Sequence, residues 1–190
     1  MSNLMRELFF ADAFYFKDIE NSNDMNKKLV KNILQWKHDD PEGVNISNVL
    51  GWQSRSTMQK DKVHYTDLLK TINQFLHEVW SAEQYSKDTA LQIDNMWANV
   101  NYKYAYNKYH DHAGSLWSGV YYVQCPPNCG DLTFHKEWSR YQNTSKPVFP
   151  ATIPSLPHQW DSVAYAPIEG RVIVFPSWIG HQVGQNLADV

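Results

Sequence analysis

The sequence predicts a mainly β protein with helices in its first half, organised as an antiparallel sandwich or barrel. Two observations support this fold class. Up to about residue 86, apolar side chains recur at helical spacing in two long segments. From Ile93 onward the apolar period shortens to two, and short strand-like runs follow one another with turn signals between them.

The two helical segments are predicted over residues 22–40 and 65–86. Their apolar stripes are Met25, Leu29, Ile33 and Trp36 in the first segment, and Leu68, Ile72, Phe75, Leu76, Val79 and Trp80 in the second. We expect both stripes to be buried, because the apolar face of an amphipathic helix packs against the rest of the domain. Residues 41–57, rich in Gly, Asn and Ser, predict a loop or an edge hairpin between the helices.

The predicted strands lie in the second half of the chain. After an aromatic alternation over residues 97–106, they are "LWSGVYYV" (116–123), "GDLTF" (130–134), "SVAYA" (162–166), "GRVIVF" (170–175) and "GHQVGQN" (180–186). The long connection over residues 135–160 contains several prolines, Trp138 and Trp160. Because long connections in compact domains are often functional, both tryptophans are candidates for a substrate-contacting loop.

Residues 1–190 are expected to form a single domain, in which a helix and loop buttress (1–92) supports a β core (93–190). This length accommodates one sizeable hydrophobic core. An aromatic content of 14% argues against intrinsic disorder. The net charge of -3 and a pI near 6.2 give no basic surface for a nucleic-acid backbone.

The sequence predicts a cytoplasmic protein with reduced cysteines. The N-terminal stretch "MSNLMRELFFADAFYF" lacks the pattern of a signal peptide, and no run approaches the roughly 18 apolar residues of a membrane span. The thiols of Cys125 and Cys129 stand in the turn-like motif "CPPNC". A disulfide or half of a zinc site is an alternative, but the cytosol favours two free thiols.

A metal site is predicted around three histidines. On a strand, residues two apart share a face, so His110 and His112 of "HDH" point the same way and Asp111 points the opposite way. The third candidate is His181, which follows the apolar run "VIVFPSW". Two ligands from one strand and a third from a later one would leave coordination positions open, as oxygen-activating iron sites require.

The chain resembles a family of 2-oxoglutarate/Fe(II)-dependent oxygenases known from marine bacteria and their phages. The resemblance is carried by "HDHAGSLWSGVYYVQCP", "GDLTF", "EGRVIVFPSW" and "HQVGQN", from about Trp97 to the C-terminus. It implies a double-stranded β-helix (jelly-roll) with N-terminal buttressing helices. It also implies Fe(II) as the metal, 2-oxoglutarate and O2 as cosubstrates, and hydroxylation of a prime substrate that the sequence does not identify.

The ligand pattern departs from that of the wider superfamily, which uses His-x-Asp/Glu and a distal His. The position two after His110 is His112, so either three histidines hold the iron or Asp111 turns inward from a bulge. We favour His110, His112 and His181, because strand alternation requires no added irregularity. Three neutral ligands would leave the iron charge to be offset by the 2-oxoglutarate dianion.

The carboxylate anchor of the superfamily is a second departure. An Arg or Lys usually follows the distal His, but the sequence ends at Val190, nine residues past His181, without one. We expect either that the sequence stops before the closing strand of the jelly-roll or that another cation substitutes. The candidates are Arg171, Lys103 and Lys108, with Tyr104, Tyr106 and Tyr122 as hydrogen-bond donors to 2-oxoglutarate.

Two other functions fit the same residues. A three-histidine, cupin-like dioxygenase or isomerase would bind its substrate on the metal without 2-oxoglutarate. A jelly-roll virion or carbohydrate-binding module would need no metal and would use the aromatic side chains for stacking. A homodimer through the helices and, for a phage-encoded protein, a location in the host cytoplasm are further expectations.

Overall fold

A computed structural model describes residues 11–136 and 160–189 of the chain. Within these ranges the helices are α1 (Asn23–Asp39) and α2 (Thr66–Ala82), with a short 3₁₀ turn at Met58–Lys60. The strands are β1 (Tyr15–Asp18), β2 (Asn48–Val49), β3 (Trp52–Gln53), β4 (Asn99–Val100), β5 (Tyr106–His110), β6 (Trp117–Tyr121), β7 (Leu132–His135), β8 (Ser162–Tyr165), β9 (Arg171–Pro176) and β10 (His181–Val183).

The described strands form two principal antiparallel sheets. One has the order β1-β9-β6 and the other the order β2-β5-β10-β7-β8, while β3 and β4 pair separately. The order is non-sequential, because strands distant in the chain lie side by side. The described residues thus form the mainly β fold with two helices that the sequence predicted, consistent with a double-stranded β-helix.

β9 is buried on both faces, which explains its continuous apolar run. Ile173 and Phe175 pack between the sheets with Leu132 and Phe134 of β7; these four residues are called the inter-sheet core. The alternate residues of β9, including Val174, pack instead against α2. A strand with both faces covered has an uninterrupted hydrophobic sequence, as "VIVF" of β9 does.

The two helices form the predicted buttress. Leu29 and Ile33 of α1 pack with Leu68 of α2, Trp52 of β3 and Met58 into one buried cluster. On α2, Phe75 and Val79 face β9. The apolar stripes recognised in the sequence therefore join the helices to each other and to the outer face of the first sheet.

The first 92 residues, predicted as a helix and loop buttress with a possible edge hairpin, also contribute strands to both sheets. β1 pairs with β9 and β2 pairs with β5, each at the edge of its sheet. β2 and β3 fall in the segment that the sequence left open as loop or hairpin. β1 was missed because its four residues are too few for a periodic signal, and its extended form depends on pairing with a strand some 150 residues away.

A turn between β4 and β5 interrupts the aromatic alternation over residues 97–106. Tyr104 lies in this turn with a φ of 71°. Among the described residues, no helix is both long and apolar enough to cross a membrane.

Candidate metal centre

Three histidine side chains converge at one end of the second sheet. His110 is the last residue of β5 and His181 the first of β10, and the pairing of these strands sets them directly opposite each other. The potential ligand atoms of His110, His112 and His181 all lie within 4.8 Å of one another. The ring centroids are 4.3 Å apart for His110 and His181, and 5.0 Å apart for each of the other two pairs.

The position of His112 depends on a backbone contact. β5 ends at His110, so strand alternation alone does not carry the chain to His112. The backbone N–H of His112 instead donates to the carbonyl of Ser177, at 3.0 Å, just after β9. This hydrogen bond ties the "HDH" motif to the turn that leads into His181.

Hydrogen bonds select the tautomer of two of the rings. Nδ1 of His110 lies 2.6 Å from the carbonyl oxygen of Lys108, and Nδ1 of His181 lies 2.9 Å from that of Ile179. Because a carbonyl oxygen can only accept, each Nδ1 carries a proton, and in the neutral ring Nε2 is the nitrogen with the free lone pair. Metal-binding histidines are commonly oriented by this kind of contact through the second ring nitrogen.

Burial favours the neutral form of His112 and His181, which is the form that binds a metal. His181 is only 4% exposed, and this desolvation is the main reason why its pKa falls to about 4. Desolvation, followed by the neighbouring His110, also lowers the pKa of His112.

The low pKa of His181 predicts acid sensitivity of the metal-free protein. The unfolded chain takes up a proton near the ordinary value of 6.5 and the folded chain only near 4. With respect to His181, the free energy of unfolding is therefore at its full value above pH 6.5. It decreases as the pH falls towards 4, by up to about 3 kcal/mol. Urea unfolding with a chelator between pH 7.5 and 4.5 measures this loss.

The matched variant for this measurement is His181→Gln, which cannot titrate. Carboxylates also titrate in this range, so the contribution of His181 is the difference between the pH slopes of the two proteins. Parallel slopes would contradict the prediction.

Aromatic side chains form the walls around the histidines. The ring centroid of His181 lies 4.8 Å from that of Phe175 and 5.8 Å from that of Phe134. The ring of Trp97 lies 5.6 Å from that of His112. These contacts place the cluster beside the inter-sheet core, with an aromatic face next to His112.

Comparison with known proteins identifies the family. Residues 95–190 match the family described as "Putative 2OG-Fe(II) oxygenase". The chain belongs to this family. No curated protein matches it. The match covers β4 to β10 and agrees with the resemblance predicted from Trp97 onward; the marine or phage origin stays a prediction.

The family and the three-histidine cluster together support a metal-dependent oxygenase. Asp111 of this oxygenase is exposed and lies outside the cluster. The structure thus brings together the three histidines that the sequence favoured, and their role as ligands stays a prediction.

Arg171, a predicted cosubstrate residue of the oxygenase, lies elsewhere. Its Nε and second guanidinium nitrogen donate to the two carboxylate oxygens of Asp18, at 2.6 and 2.7 Å. It begins β9, a strand about 17 Å long at about 3.3 Å per residue, and the histidines lie beyond the other end. The structure does not bring Arg171 to the histidine cluster.

The three tyrosines predicted to bind cosubstrate also lie in separate places. Tyr106 begins β5 opposite Val49 of β2, and Tyr104 is 52% exposed in the preceding turn. Tyr122 follows β6 and packs against the inter-sheet core, where burial raises the pKa of its hydroxyl. Their role in the oxygenase stays a prediction.

Of the other residues predicted to bind cosubstrate or substrate, all but Trp138 lie within the described ranges. Lys103 forms an ion pair with Asp189, and Lys108 is exposed on β5. Trp160 is 41% exposed just before β8, whereas Trp138 lies outside the described residues.

The two cysteines of the oxygenase do not form a disulfide bond. Cys125 and Cys129 are both half-buried. Burial is the main cause that raises the pKa of Cys125 to about 12. Such thiols are poor nucleophiles at neutral pH.

Sequence reasoning missed Trp97 as a residue of the site. It was assigned only to a strand-like alternation, because nothing in its spacing connects it to His112. Their contact arises from tertiary packing.

Proposed function

We propose that this protein is an Fe(II)- and 2-oxoglutarate-dependent oxygenase that hydroxylates a prime substrate. The observation that carries the proposal is the convergence of His110, His112 and His181 within 4.8 Å in a chain of this family. Imidazole nitrogens suit iron, and three protein ligands leave positions for cosubstrate and O2.

The donor set fits a divalent metal. In the neutral form, His110 and His181 would present Nε2 to a metal, because each Nδ1 donates to a backbone carbonyl. Burial disfavours the charged form of His112 and His181, so proton competition is weak at neutral pH. His110, His112 and His181 would therefore hold the iron.

The cluster contains no carboxylate, which has a consequence for cosubstrate binding. Three neutral rings do not offset the charge of Fe(II), and Asp111 is exposed outside the cluster. A 2-oxo acid that chelates the metal would supply the missing negative charge. Iron affinity is therefore expected to increase when 2-oxoglutarate is present.

When bound, Fe(II) and 2-oxoglutarate supply oxygen activation coupled to decarboxylation of the cosubstrate. The chain contributes orientation and a water-poor site. The backbone carbonyls of Lys108 and Ile179 orient the rings of His110 and His181. The rings of Phe134 and Phe175 pack against His181. The ring of Trp97 lies beside that of His112, and the role of Trp138 and Trp160 in a substrate-contacting loop stays a prediction.

An anaerobic titration tests the proposal. Fe(II) is added to the metal-free protein with and without 2-oxoglutarate, and the weak visible charge-transfer band of the chelate is recorded. We expect stoichiometric iron binding and a band that appears only with 2-oxoglutarate. Iron binding without a band would favour the cupin-like dioxygenase or isomerase, and no iron binding would favour a binding module.

A further inference from the structure

A pair of hydroxyl groups lies between the first sheet and the histidine turn. Ser118 is the second residue of β6, and Ser177 directly follows β9. Their Oγ atoms are 2.7 Å apart, and Ser177 is 1% exposed. Neither residue belongs to the ligand pattern that the histidines form.

Both side chains face the interior. In β6, Val120 contacts the inter-sheet core, whereas the side chain of Trp117 packs towards α2. Ser118 shares the face of Val120, because alternate residues of a strand point the same way. In β9, Phe175 belongs to the inter-sheet core, and Ser177 lies two residues further on.

Both serines are connected to the candidate metal centre through their backbone or their strand partner. The carbonyl of Ser177 accepts the backbone N–H of His112 at 3.0 Å. Ser118 is paired in register with Phe175, whose ring lies 4.8 Å from that of His181. Ser118 and Ser177 therefore belong to the layer that surrounds the histidines.

The pair has one hydrogen-bond donor to spare. Two hydroxyl groups carry two hydrogens, and their mutual hydrogen bond uses one. Within residues 11–136 and 160–189, neither hydroxyl has a second partner. Ser177 is buried and Ser118 is half-buried, and an unused donor in such a place is costly, so the group usually has a partner in the functional state.

We infer that Ser118 and Ser177 together donate a hydrogen bond to a carboxylate oxygen of the 2-oxo acid that shares the metal. This inference rests on the proposed function. The surroundings are imidazole rings and apolar side chains, and the cations Arg171 and Lys103 are engaged by Asp18 and Asp189. A hydroxyl polarised by a second hydroxyl is a stronger donor to an anion than an isolated one.

Two double variants test the inference, because either hydroxyl alone can supply the spare hydrogen. Ser118→Thr/Ser177→Ala keeps one hydroxyl, and Ser118→Val/Ser177→Ala keeps none. Thr and Val have nearly the same shape, and both favour strands, so the two proteins differ mainly by one hydroxyl. Ser54→Ala is the control, since Ser54 is fully buried but belongs to the helical side, bonded to Arg55 and Ala98.

The measurement is the affinity of the Fe(II)-loaded protein for 2-oxoglutarate, read from the charge-transfer band under anaerobic conditions. We expect Ser118→Val/Ser177→Ala to bind 2-oxoglutarate roughly 10- to 100-fold more weakly than Ser118→Thr/Ser177→Ala, the effect of one hydrogen bond to a charged group. Iron binding without cosubstrate should be the same in both, which separates this role from a general structural one.

A second ligand identifies the carboxylate. 2-Oxopentanoate has the same chelating end as 2-oxoglutarate but lacks the far carboxylate. A loss for 2-oxoglutarate alone assigns the hydroxyl pair to the far carboxylate, and an equal loss for both ligands assigns it to the carboxylate on the metal. Equal affinities of the two double variants for both ligands would overturn the inference, while a wild-type protein without any band would overturn the proposed function as well.

Discussion

Replacing His112 by alanine is expected to abolish stoichiometric Fe(II) binding, whereas replacing Asp111 by asparagine should leave it intact. His112 contributes one of the three nitrogens that lie within 4.8 Å of one another, and Asp111 is exposed outside this group. Loss of a ligand should weaken iron binding by roughly 100-fold or more, since even partners of ligands account for 10- to 100-fold. Anaerobic competition with a coloured chelator measures both affinities.

The control for the histidine change is His135→Ala. His135 ends β7, and its ring lies against Tyr109, outside the three-histidine group. We expect its iron affinity to equal that of the wild type. The opposite pattern, with metal lost in Asp111→Asn and kept in His112→Ala, would show that the aspartate turns inward and is the ligand.

Replacing Ile173 by alanine is expected to lower the free energy of unfolding by about 3 to 4 kcal/mol. Ile173 is 0% exposed and lies in the middle of β9, paired with Phe16 on one side and Val120 on the other. Removal of its side chain would leave a cavity in the inter-sheet core, where neighbours on two sheets limit relaxation. Urea unfolding of the metal-free proteins measures the difference.

Val63→Ala provides the matched surface control, because Val63 is 84% exposed. Its effect should stay within about 0.5 kcal/mol. If Ile173→Ala cost no more than this control, the assignment of β9 to the centre of the packing would be wrong.

The sequence predicted the helices more completely than the surroundings of the metal cluster. The stripe that includes Leu29 and Ile33 predicted a buried helix, and the structure buries both residues. Strand alternation in "HDH" and the position of His181 after an apolar run predicted the three histidines, and the resemblance supported a metal site there. The resemblance offered no way to place Arg171, whose partner Asp18 is 153 residues away.

Strand alternation predicted that His110 and His112 lie close together, which they do, but alternation explains only part of this arrangement. His110 ends its strand, so His112 reaches the cluster through the hydrogen bond from its backbone to Ser177. No property of the motif itself encodes this contact. The same holds for Trp97, which contacts His112 across a gap of 15 residues.

The sequence by itself determined the two amphipathic helices, the apolar run of β9 and the three histidines, because periodicity and motif spacing are properties of short segments. The tertiary structure decided which strands are neighbours: β1 beside β9, and His181 of β10 opposite His110 of β5. It also brought the hydroxyls of Ser118 and Ser177 together. These contacts join residues that are distant in the chain. They depend on the register of paired strands, which is not a property of any single segment.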